Sequence, residues 1–282
     1  MRSRNMKTAV SIFVILLISG CSFQKRLVGG AEVVQAAGEA QPDWFGADIK
    51  LLPISNNTDA MAEIAAALSV RSAPLGQKVY AMRLALYANS LDKKNKHAAI
   101  VLARAAFLLA DSTEDEEAMK KIAEIGVTAA RTAGVNENNP EACYYFALNQ
   151  GLLVRSKGLF ALNKLPDILN ALKISQKKDT IDHAGPLRVL GILYLKAPAW
   201  PSGIGDLDKA LELLEEAVKK EPAYPQNFMF YAEALIEDDS REKALQNLEI
   251  AYQLAVPEIW GVYYSKKWRD EIEALRQKIN KS

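Results

Sequence analysis

The sequence contains few of the residues on which enzyme and metal sites depend. It has two histidines, His97 and His183, which are far apart, and two cysteines, Cys21 and Cys143. A zinc site needs about four such ligands at short, regular spacings, and these four residues do not have them. The sequence also lacks a Gly-x-Ser-x-Gly motif and a complete phosphate-binding loop. We therefore predict no catalytic residue, no metal and no cofactor, and we predict that the protein is not an enzyme.

An excess of charge of one sign is also missing. The chain has 35 lysines and arginines against 34 aspartates and glutamates, which gives a net charge of +1. Proteins that bind nucleic acids through phosphate contacts carry a clear basic surface. The charge balance therefore predicts that nucleic acid is not a partner.

No apolar run is long enough to span a bilayer, but the N-terminus has a shorter one. Three basic residues lie within the first seven, and residues 9–18 are apolar apart from Ser11. A membrane-spanning helix needs about 20 apolar residues. A basic start followed by about ten apolar residues is typical of a secretory signal. We predict that residues 1–20 are a signal peptide.

The end of this signal, Leu17-Ile18-Ser19-Gly20-Cys21, resembles the lipobox of bacterial lipoproteins. The resemblance implies that the Cys21 thiol receives a diacylglyceryl group, that cleavage leaves Cys21 first, and that its amine is then acylated. Two or more acyl chains bind a bilayer stably, so the protein would be lipid-anchored. Ser22, being a residue other than Asp, implies the periplasmic side of the outer membrane of a Gram-negative cell. The alternative is an ordinary cleaved signal with a chance cysteine.

The next segment differs in composition from the rest of the chain. Residues 22–41 are mostly small and aperiodic, and two prolines, Pro42 and Pro53, interrupt the stretch up to residue 56. Such composition is typical of a linker. We predict a lipidated N-terminus and tether over 21–56, with Trp44 and Phe45 as the first packed residues, and a helical domain over 57–282.

From residue 58 onwards the pattern is that of consecutive helices. Thr58 is expected to cap the first, and Thr113 with Glu116 has the spacing of a capping box. Asp182 and His183 are expected to begin a later helix. Because no pair of strands with a hairpin turn is recognisable, we predict an all-α fold of about ten to twelve helices.

The C-terminal half contains a repeat of 34 residues, the tetratricopeptide (TPR) period of one helix–turn–helix unit. The residues that recur at this spacing are Ala210, Leu214 and Ala217, which return as Ala244, Leu248 and Ala251. The preceding helices have matching positions at Leu187, Leu190, Gly191 and Tyr194 and at Phe228, Tyr231, Ala232 and Leu235. Small residues at such positions let two helices approach closely. We predict an α-solenoid of TPR-like hairpins that is clearest over 184–222 and 225–257.

The first of these units carries an insertion. Gly191 and Ala210 are 19 residues apart, whereas Ala232 and Ala244 are 12 apart, so seven extra residues lie in the first turn. They fall in 197–205, which contains Trp200 and the pair of glycines in Gly203-Ile204-Gly205. Asp206, which follows them, is expected to cap the next helix. Insertions in repeat proteins form loops that are often functional. Trp200 either plugs a neighbouring helix pair or recognises a partner.

The block 185–206 resembles the T-component (TatT-like) lipoproteins of TRAP transporters. The segments Asn139-Pro140-Glu141-Ala142-Cys143-Tyr144-Tyr145-Phe146 and Asn227-Phe228-Met229-Phe230-Tyr231-Ala232 resemble the same family. The resemblance covers about 139–257 and is thin before it. It implies a membrane-tethered periplasmic helical protein that partners a TRAP solute-binding protein and can form a homo-oligomer.

Five residues are candidates for ligand or partner binding. Arg188 and Lys196 lie eight residues apart, so they would share a face of one helix. Asn227 and Tyr231, one turn apart on the next unit, are expected to face them. With Trp200 they would form a set suited to an organic anion. The alternative is that both cations are solvated and Tyr231 is core.

Three functions are compatible with this sequence. The first is a transport accessory that binds a solute or a solute-binding protein. The second is a scaffold lipoprotein in outer-membrane protein assembly or secretin targeting. An unrecognised hydrolase is the third. A solute site needs convergent polar groups in an apolar cavity, whereas a peptide scaffold needs an open groove.

Overall fold

The computed structural model describes residues 57–157, 163–198 and 203–281. The predicted signal peptide, Cys21, the tether and Trp200 lie outside these ranges. The described residues form eleven α-helices and no β-strand. This confirms the predicted all-α fold of about ten to twelve helices.

The helices belong to two compact units that divide between Ser156 and Lys157. The helices that begin in the first unit are α1 (Thr58–Leu68), α2 (Leu75–Leu91), α3 (Lys96–Ala110), α4 (Glu116–Ala133) and α5 (Pro140–Lys157). Those of the second unit are α6 (Leu165–Ser175), α7 (Gly185–Lys196), α8 (Leu207–Lys220), α9 (Pro225–Glu237), α10 (Arg241–Leu254) and α11 (Pro257–Lys281). Short 3₁₀ turns occupy Val135–Glu137 and Gln176–Lys178.

Consecutive helices pair as hairpins, which is the predicted α-solenoid architecture. In the first unit α1 packs with α2 and α3 with α4, and in the second α7 packs with α8 and α9 with α10. Among the described residues, no helix combines the length and the apolar character needed to cross a membrane.

Two helix starts differ from the predicted caps by one or two residues. Asn57, and not Thr58, caps α1, because its side-chain oxygen accepts from the backbone N–H of Asp59 (3.0 Å) and Ala60 (3.2 Å). Asp115, and not Thr113, caps α4 by accepting from Ala118 N–H at 2.8 Å. A carboxylate directly before the first turn reaches the N3 amide and also favours the positive end of the helix dipole.

A buried amide joins three helices of the first unit. The Asn149 Nδ2 of α5 donates to the carbonyl of Ala103 in α3 at 3.0 Å. The same amide lies against Gly126 of α4, where a Cβ would come within 2.2 Å of Asn149 Oδ1. Glycine at 126 is therefore required by the close approach of the Asn149 side chain, which links α5 to both α3 and α4.

The 34-residue repeat has the predicted packing. Its six repeated positions are fully buried, with 0% exposure each: Ala210, Leu214, Ala217, Ala244, Leu248 and Ala251. Gly191 of α7 lies directly against Leu214 of α8, as expected for a small residue at a close helix crossing. The periodicity therefore corresponds to the contacts within the α7–α8 and α9–α10 hairpins.

The last helix bends at its start. Gly261 has φ 77° and ψ 159°, a conformation that is open almost only to glycine. It separates the first turn of α11 from the long remainder. Beyond the bend, Trp268 and Tyr264 are buried in a cluster with Tyr224, and Trp260 packs against this cluster from the first turn. The bend thus sets where Trp260 and its neighbours lie.

Candidate partner-binding surface

A left-handed turn precedes α7. Asp182, His183 and Ala184 have φ values of 50°, 55° and 59°, although none of them is glycine. Each such residue costs roughly 1–2 kcal/mol relative to the ordinary right-handed conformation. The prediction that Asp182 and His183 begin a helix is wrong, because α7 starts only at Gly185, after the left-handed turn.

Arg188 holds this turn in place. Its Nη1 donates to the His183 carbonyl at 2.8 Å, and its Nη2 donates to the carbonyl and the carboxylate of Asp182 at 3.1 and 3.0 Å. The guanidinium carbon also lies 4.6 Å from the centre of the Tyr224 ring. Charge-assisted hydrogen bonds from a planar fork are strong and directional, so they offset the strain of the turn.

Asn227 extends the network to two further helices. Its Oδ1 accepts from Arg188 Nη1 at 3.0 Å. Its Nδ2 donates to the carbonyls of Ala217 and Glu221 at 3.0 and 3.1 Å, at the C-terminal end of α8. These carbonyls also accept from the backbone N–H groups of Glu221 and Tyr224, at 3.1 and 3.2 Å. Asn227 therefore links the end of α8, the start of α9 and Arg188 through one amide.

The structure brings Arg188 and Asn227 together, but away from solvent. Arg188 is 2% exposed and Asn227 is 0% exposed. Lys196 forms an ion pair with Glu233 of α9, and both side chains are largely buried. Trp200 lies outside the described residues. Arg188 is thus buried and Lys196 is paired with a carboxylate, so neither is a freely solvated cation, and a ligand-binding role for this set stays a prediction.

Tyr231 lies near charged residues of α8. Partial burial raises the pKa of the Tyr231 hydroxyl, and the negative charge of Glu215 raises it further, while Lys219 acts in the opposite direction. A phenol in this setting remains neutral over the physiological range. Its role as a hydrogen-bonding group for a ligand is likewise a prediction.

A cluster of aromatic rings forms on the outer side of the left-handed turn. The His183 ring stacks on Tyr224 with centroids 4.7 Å apart and planes at 11°, and it meets Trp260 edge-on at 5.5 Å. His183 Nδ1 lies 3.4 Å from the Glu221 carboxylate. The His183 side chain is 46% exposed and Trp260 is only partly buried, so the cluster presents an imidazole and part of an indole at the surface.

Exposed apolar side chains flank Trp260 at the bend of α11. Ile259 is 59% exposed, Val262 is 76% exposed and Tyr263 is 40% exposed. We call His183, Ile259, Trp260, Val262 and Tyr263 the α11 patch. Contiguous exposed apolar residues with aromatic rings are typical of protein-binding surfaces.

Sequence reasoning did not identify this patch. The sequence feature that could have indicated it is the run Ile259-Trp260-Gly261-Val262-Tyr263, in which four large apolar residues are interrupted only by glycine. A helix that continued through this run would have no polar face. Trp260 is partly buried against the aromatic cluster, whereas Ile259, Val262 and Tyr263 are exposed around the bend at Gly261.

The base of the predicted insertion is tightly closed. Gly205 N–H donates to the Pro198 carbonyl at 2.7 Å, and a Cβ at 203 or 205 would come within 2.3 or 2.1 Å of a carbonyl oxygen of Pro198 or Ala197, respectively. The two glycines therefore serve a close backbone approach and not phosphate binding. Asp206 caps α8 as predicted, by accepting from Lys209 N–H at 3.1 Å, and hydrogen bonds from Lys209 lower the pKa of its carboxyl.

Within the described ranges, no group of three or more His, Cys, Asp or Glu side chains is arranged to hold a metal ion. Cys143 is a buried cysteine on α5, and its Sγ lies 3.9 Å from the Val135 carbonyl oxygen.

Comparisons with known proteins find similarity only at the level of structure. Neither a protein-family model nor a curated protein sequence matches the chain. A solved structure titled MamA RS-1 ArsTM double mutant is similar over 69% of this chain and 94% of its own, with 15% identity and a TM-score of 0.40. Yeast Tom70 is similar over 97% of this chain and 69% of its own, with 13% identity and a TM-score of 0.38. At this level of likeness neither protein's function bears on this one.

Proposed function

We propose that the protein is a lipid-anchored periplasmic accessory protein of a TRAP-type solute transport system, which binds the system's solute-binding protein through the α11 patch. The helical hairpins are those of a TPR-like interaction scaffold. The observation that carries the proposal is the α11 patch, where three apolar side chains are exposed beside an ordered aromatic cluster.

The order of the cluster supports a recognition role. Trp260 is held by a hydrogen bond from its Nε1 to the Leu254 carbonyl at 3.0 Å and by edge-on contact with Tyr224 at 5.1 Å. An aromatic side chain that is already positioned loses little entropy on binding. The strained turn at 182–184, which is held by hydrogen bonds from Arg188, positions the His183 side chain in the same way.

The resemblance to T-component lipoproteins supports the transport setting. The segments that carry it fall on α5, α7 and α9 and on the insertion before α8, in a region whose repeat packing agrees with its sequence pattern. The proposed acylation of Cys21 adds the membrane tether.

A solute role is a second part of the same proposal. Lys196 and Trp200, at the end of α7 and in the insertion, are its candidate contacts. Tyr231 is a third, while Arg188 and Asn227 would act by holding the turn that carries His183.

Binding to the solute-binding protein of the same cell's TRAP system tests the proposal. In isothermal titration, Ile259→Asp and Val262→Asp are each expected to weaken the affinity at least about tenfold, because a charge replaces an apolar contact. Ile250→Asp is the matched control, since Ile250 is 40% exposed on α10 and outside the patch. If the wild-type protein does not bind this partner but does bind an outer-membrane assembly factor or a secretin, the scaffold alternative is correct.

A further inference from the structure

The flat ring of His183 has one face that its aromatic neighbours leave open. The ring centroids of His183, Tyr224 and Trp260 are separated by 4.7, 5.1 and 5.5 Å, which is nearly an equilateral triangle. Trp260 therefore lies beside the stacked pair of rings, because on the far face of His183 it would be much further from Tyr224. The imidazole face that points away from Tyr224 is covered by neither ring, which agrees with the 46% exposure of the His183 side chain.

A carboxylate lies at the edge of this ring. Glu221 Oε2 is 3.4 Å from His183 Nδ1, which is longer than the about 2.7–2.9 Å of a charge-assisted hydrogen bond. Among the described residues, no other side chain pairs with the Glu221 carboxylate, although the side chain is only 34% exposed. A carboxylate that is largely covered by protein loses free energy of hydration unless a strong donor pairs with it. The position therefore favours a cation.

The neighbouring cations of the second unit are directed elsewhere. Arg188 is 2% exposed and donates to the carbonyls of the turn and to the Asp182 carboxylate. Lys220, which precedes Glu221 in the sequence, forms an ion pair with Asp179 at 2.8 Å. The negative charge of Glu221 is thus left for a cation from outside the chain.

We propose that the α11 patch, extended by Glu221, recognises an arginine side chain of its partner with apolar residues on both sides of that arginine. A guanidinium is planar, so it stacks on the open face of His183 and donates to the carboxylate at the edge of the ring. An ammonium pairs with the carboxylate but offers no flat surface to the ring. The exposed Ile259 and Val262 contact the apolar neighbours of the arginine. The proposal rests on the proposed function only in taking the α11 patch as the partner-binding surface.

A pair of peptides tests the proposal on the full chain. The first has the core Leu-Leu-Arg-Leu-Leu between soluble Gly-Ser ends, and the second carries citrulline, the neutral isostere of arginine, in place of the arginine. In isothermal titration the arginine peptide is expected to bind at least about tenfold more tightly, because a partly covered carboxylate gains a charged donor. Equal affinities, or no binding of either peptide at millimolar concentration, overturn the proposal.

Three variants of the chain locate the effect. Glu221→Gln should abolish the preference for arginine over citrulline and change the affinity for the citrulline peptide little. His183→Asn removes the ring but keeps a residue type that tolerates the left-handed conformation, and it should weaken binding of the arginine peptide. Glu212→Gln is the matched control, because it removes the same charge from an exposed position of α8 and should leave the preference unchanged. A preference that survives Glu221→Gln overturns the proposal.

Two further comparisons separate the possible failures. A peptide with lysine in place of arginine should bind more weakly than the arginine peptide, and equal affinities would show that stacking on His183 is wrong. Ile259→Asp should weaken binding of the arginine and citrulline peptides alike, because it removes an apolar contact. Failure of the wild-type protein to bind the solute-binding protein would refute the proposed transport function, whereas the peptide preference decides arginine recognition independently of it.

Discussion

Gly191 of α7 and Leu214 of α8 are in direct contact, and a Cβ at position 191 would lie 2.7 Å from Leu214 Cγ. Leu214 is fully buried, with 0% exposure, so it has no free space into which to move. The missing side chain at 191 therefore determines how closely the two helices of this hairpin pack.

Gly191→Ala tests this contact. We expect the free energy of unfolding to fall by about 1–3 kcal/mol, because the added methyl overpacks the α7–α8 crossing. Chemical denaturation measures it. Gly76→Ala is the matched control, since nothing lies within 4 Å of a Cβ at position 76 of α2. There the stability should stay the same or rise by up to about 1 kcal/mol, as alanine favours helix. Similar losses of stability in Gly191→Ala and Gly76→Ala would show that overpacking at the α7–α8 crossing is not the cause of the loss.

Arg188 is predicted to be a structural residue of the second unit. Arg188→Ala should lower the free energy of unfolding by about 3–5 kcal/mol, because Asp182 and the turn carbonyls lose a buried donor. Arg188→Lys should recover little of this loss, since an ammonium cannot form the same planar fork. Denaturation curves, with limited proteolysis around 182–184 as a second readout, measure both variants.

Arg241→Ala is the control for Arg188. Its ion pair with Asp239 is exposed on the surface, and exposed pairs contribute about 0–1 kcal/mol. An Arg188→Ala protein as stable as the Arg241→Ala protein would contradict the structural role.

Tyr231 is predicted to give an alkaline dependence of stability. Its pKa is raised in the folded protein, first by burial and then by Glu215. The unfolded phenol therefore loses its proton first, so its contribution to stability is full below the ordinary pKa of about 10 and is lost as the pH rises through the folded pKa.

Tyr231→Phe should therefore make the alkaline loss of stability less steep. Denaturation at a series of pH values measures this slope. Glu215→Gln should move the pKa of Tyr231 towards its ordinary value, as followed by the absorbance of tyrosinate. A steeper alkaline loss of stability in Tyr231→Phe than in the wild-type protein would contradict a raised pKa of Tyr231 in the folded state.

Cys21 is predicted to be the lipid attachment site. Cys21→Ala should abolish labelling by radioactive palmitate and move the protein out of the membrane fraction. Cys143→Ala is the matched control, because Cys143 is a buried cysteine of the helical domain and its loss should change neither result. Retention of Cys21→Ala in the membrane fraction of labelled cells would show that the anchor lies elsewhere.

The helical fold and the repeat period could be predicted from local sequence patterns. A period of 34 residues and the small residues at 210, 217, 244 and 251 require only that two helices of ordinary geometry pack side by side. The cap of α8 at Asp206 was likewise readable, because capping depends on a few adjacent residues. The observed caps of α1 and α4 lie one and two residues from the predicted ones, because several neighbouring polar residues can act as helix caps.

The candidate site could be predicted less well from the sequence. The spacing of Arg188 and Lys196 placed them on one helix, but spacing does not show whether a cation meets solvent or a carboxylate from another helix. Lys196 meets Glu233 across 37 residues of sequence, and Arg188 meets Asn227 across 39. Such partners are selected by tertiary packing.

By itself, then, the sequence determined that the chain is helical, that its hairpins repeat, and where close helix crossings occur, because these depend on residue size and periodicity over short distances. Only the tertiary structure decided that Asp182, His183 and Ala184 adopt a left-handed turn. Asp and His adopt this conformation singly more often than most residues, but three such residues in a row are stabilised by Arg188 and Asn227, which come from two helices and bind the carbonyls of the turn. The tertiary structure also decided that the bend at Gly261 exposes Val262 while burying Trp268, since the direction of α11 after the bend depends on its packing against Tyr224.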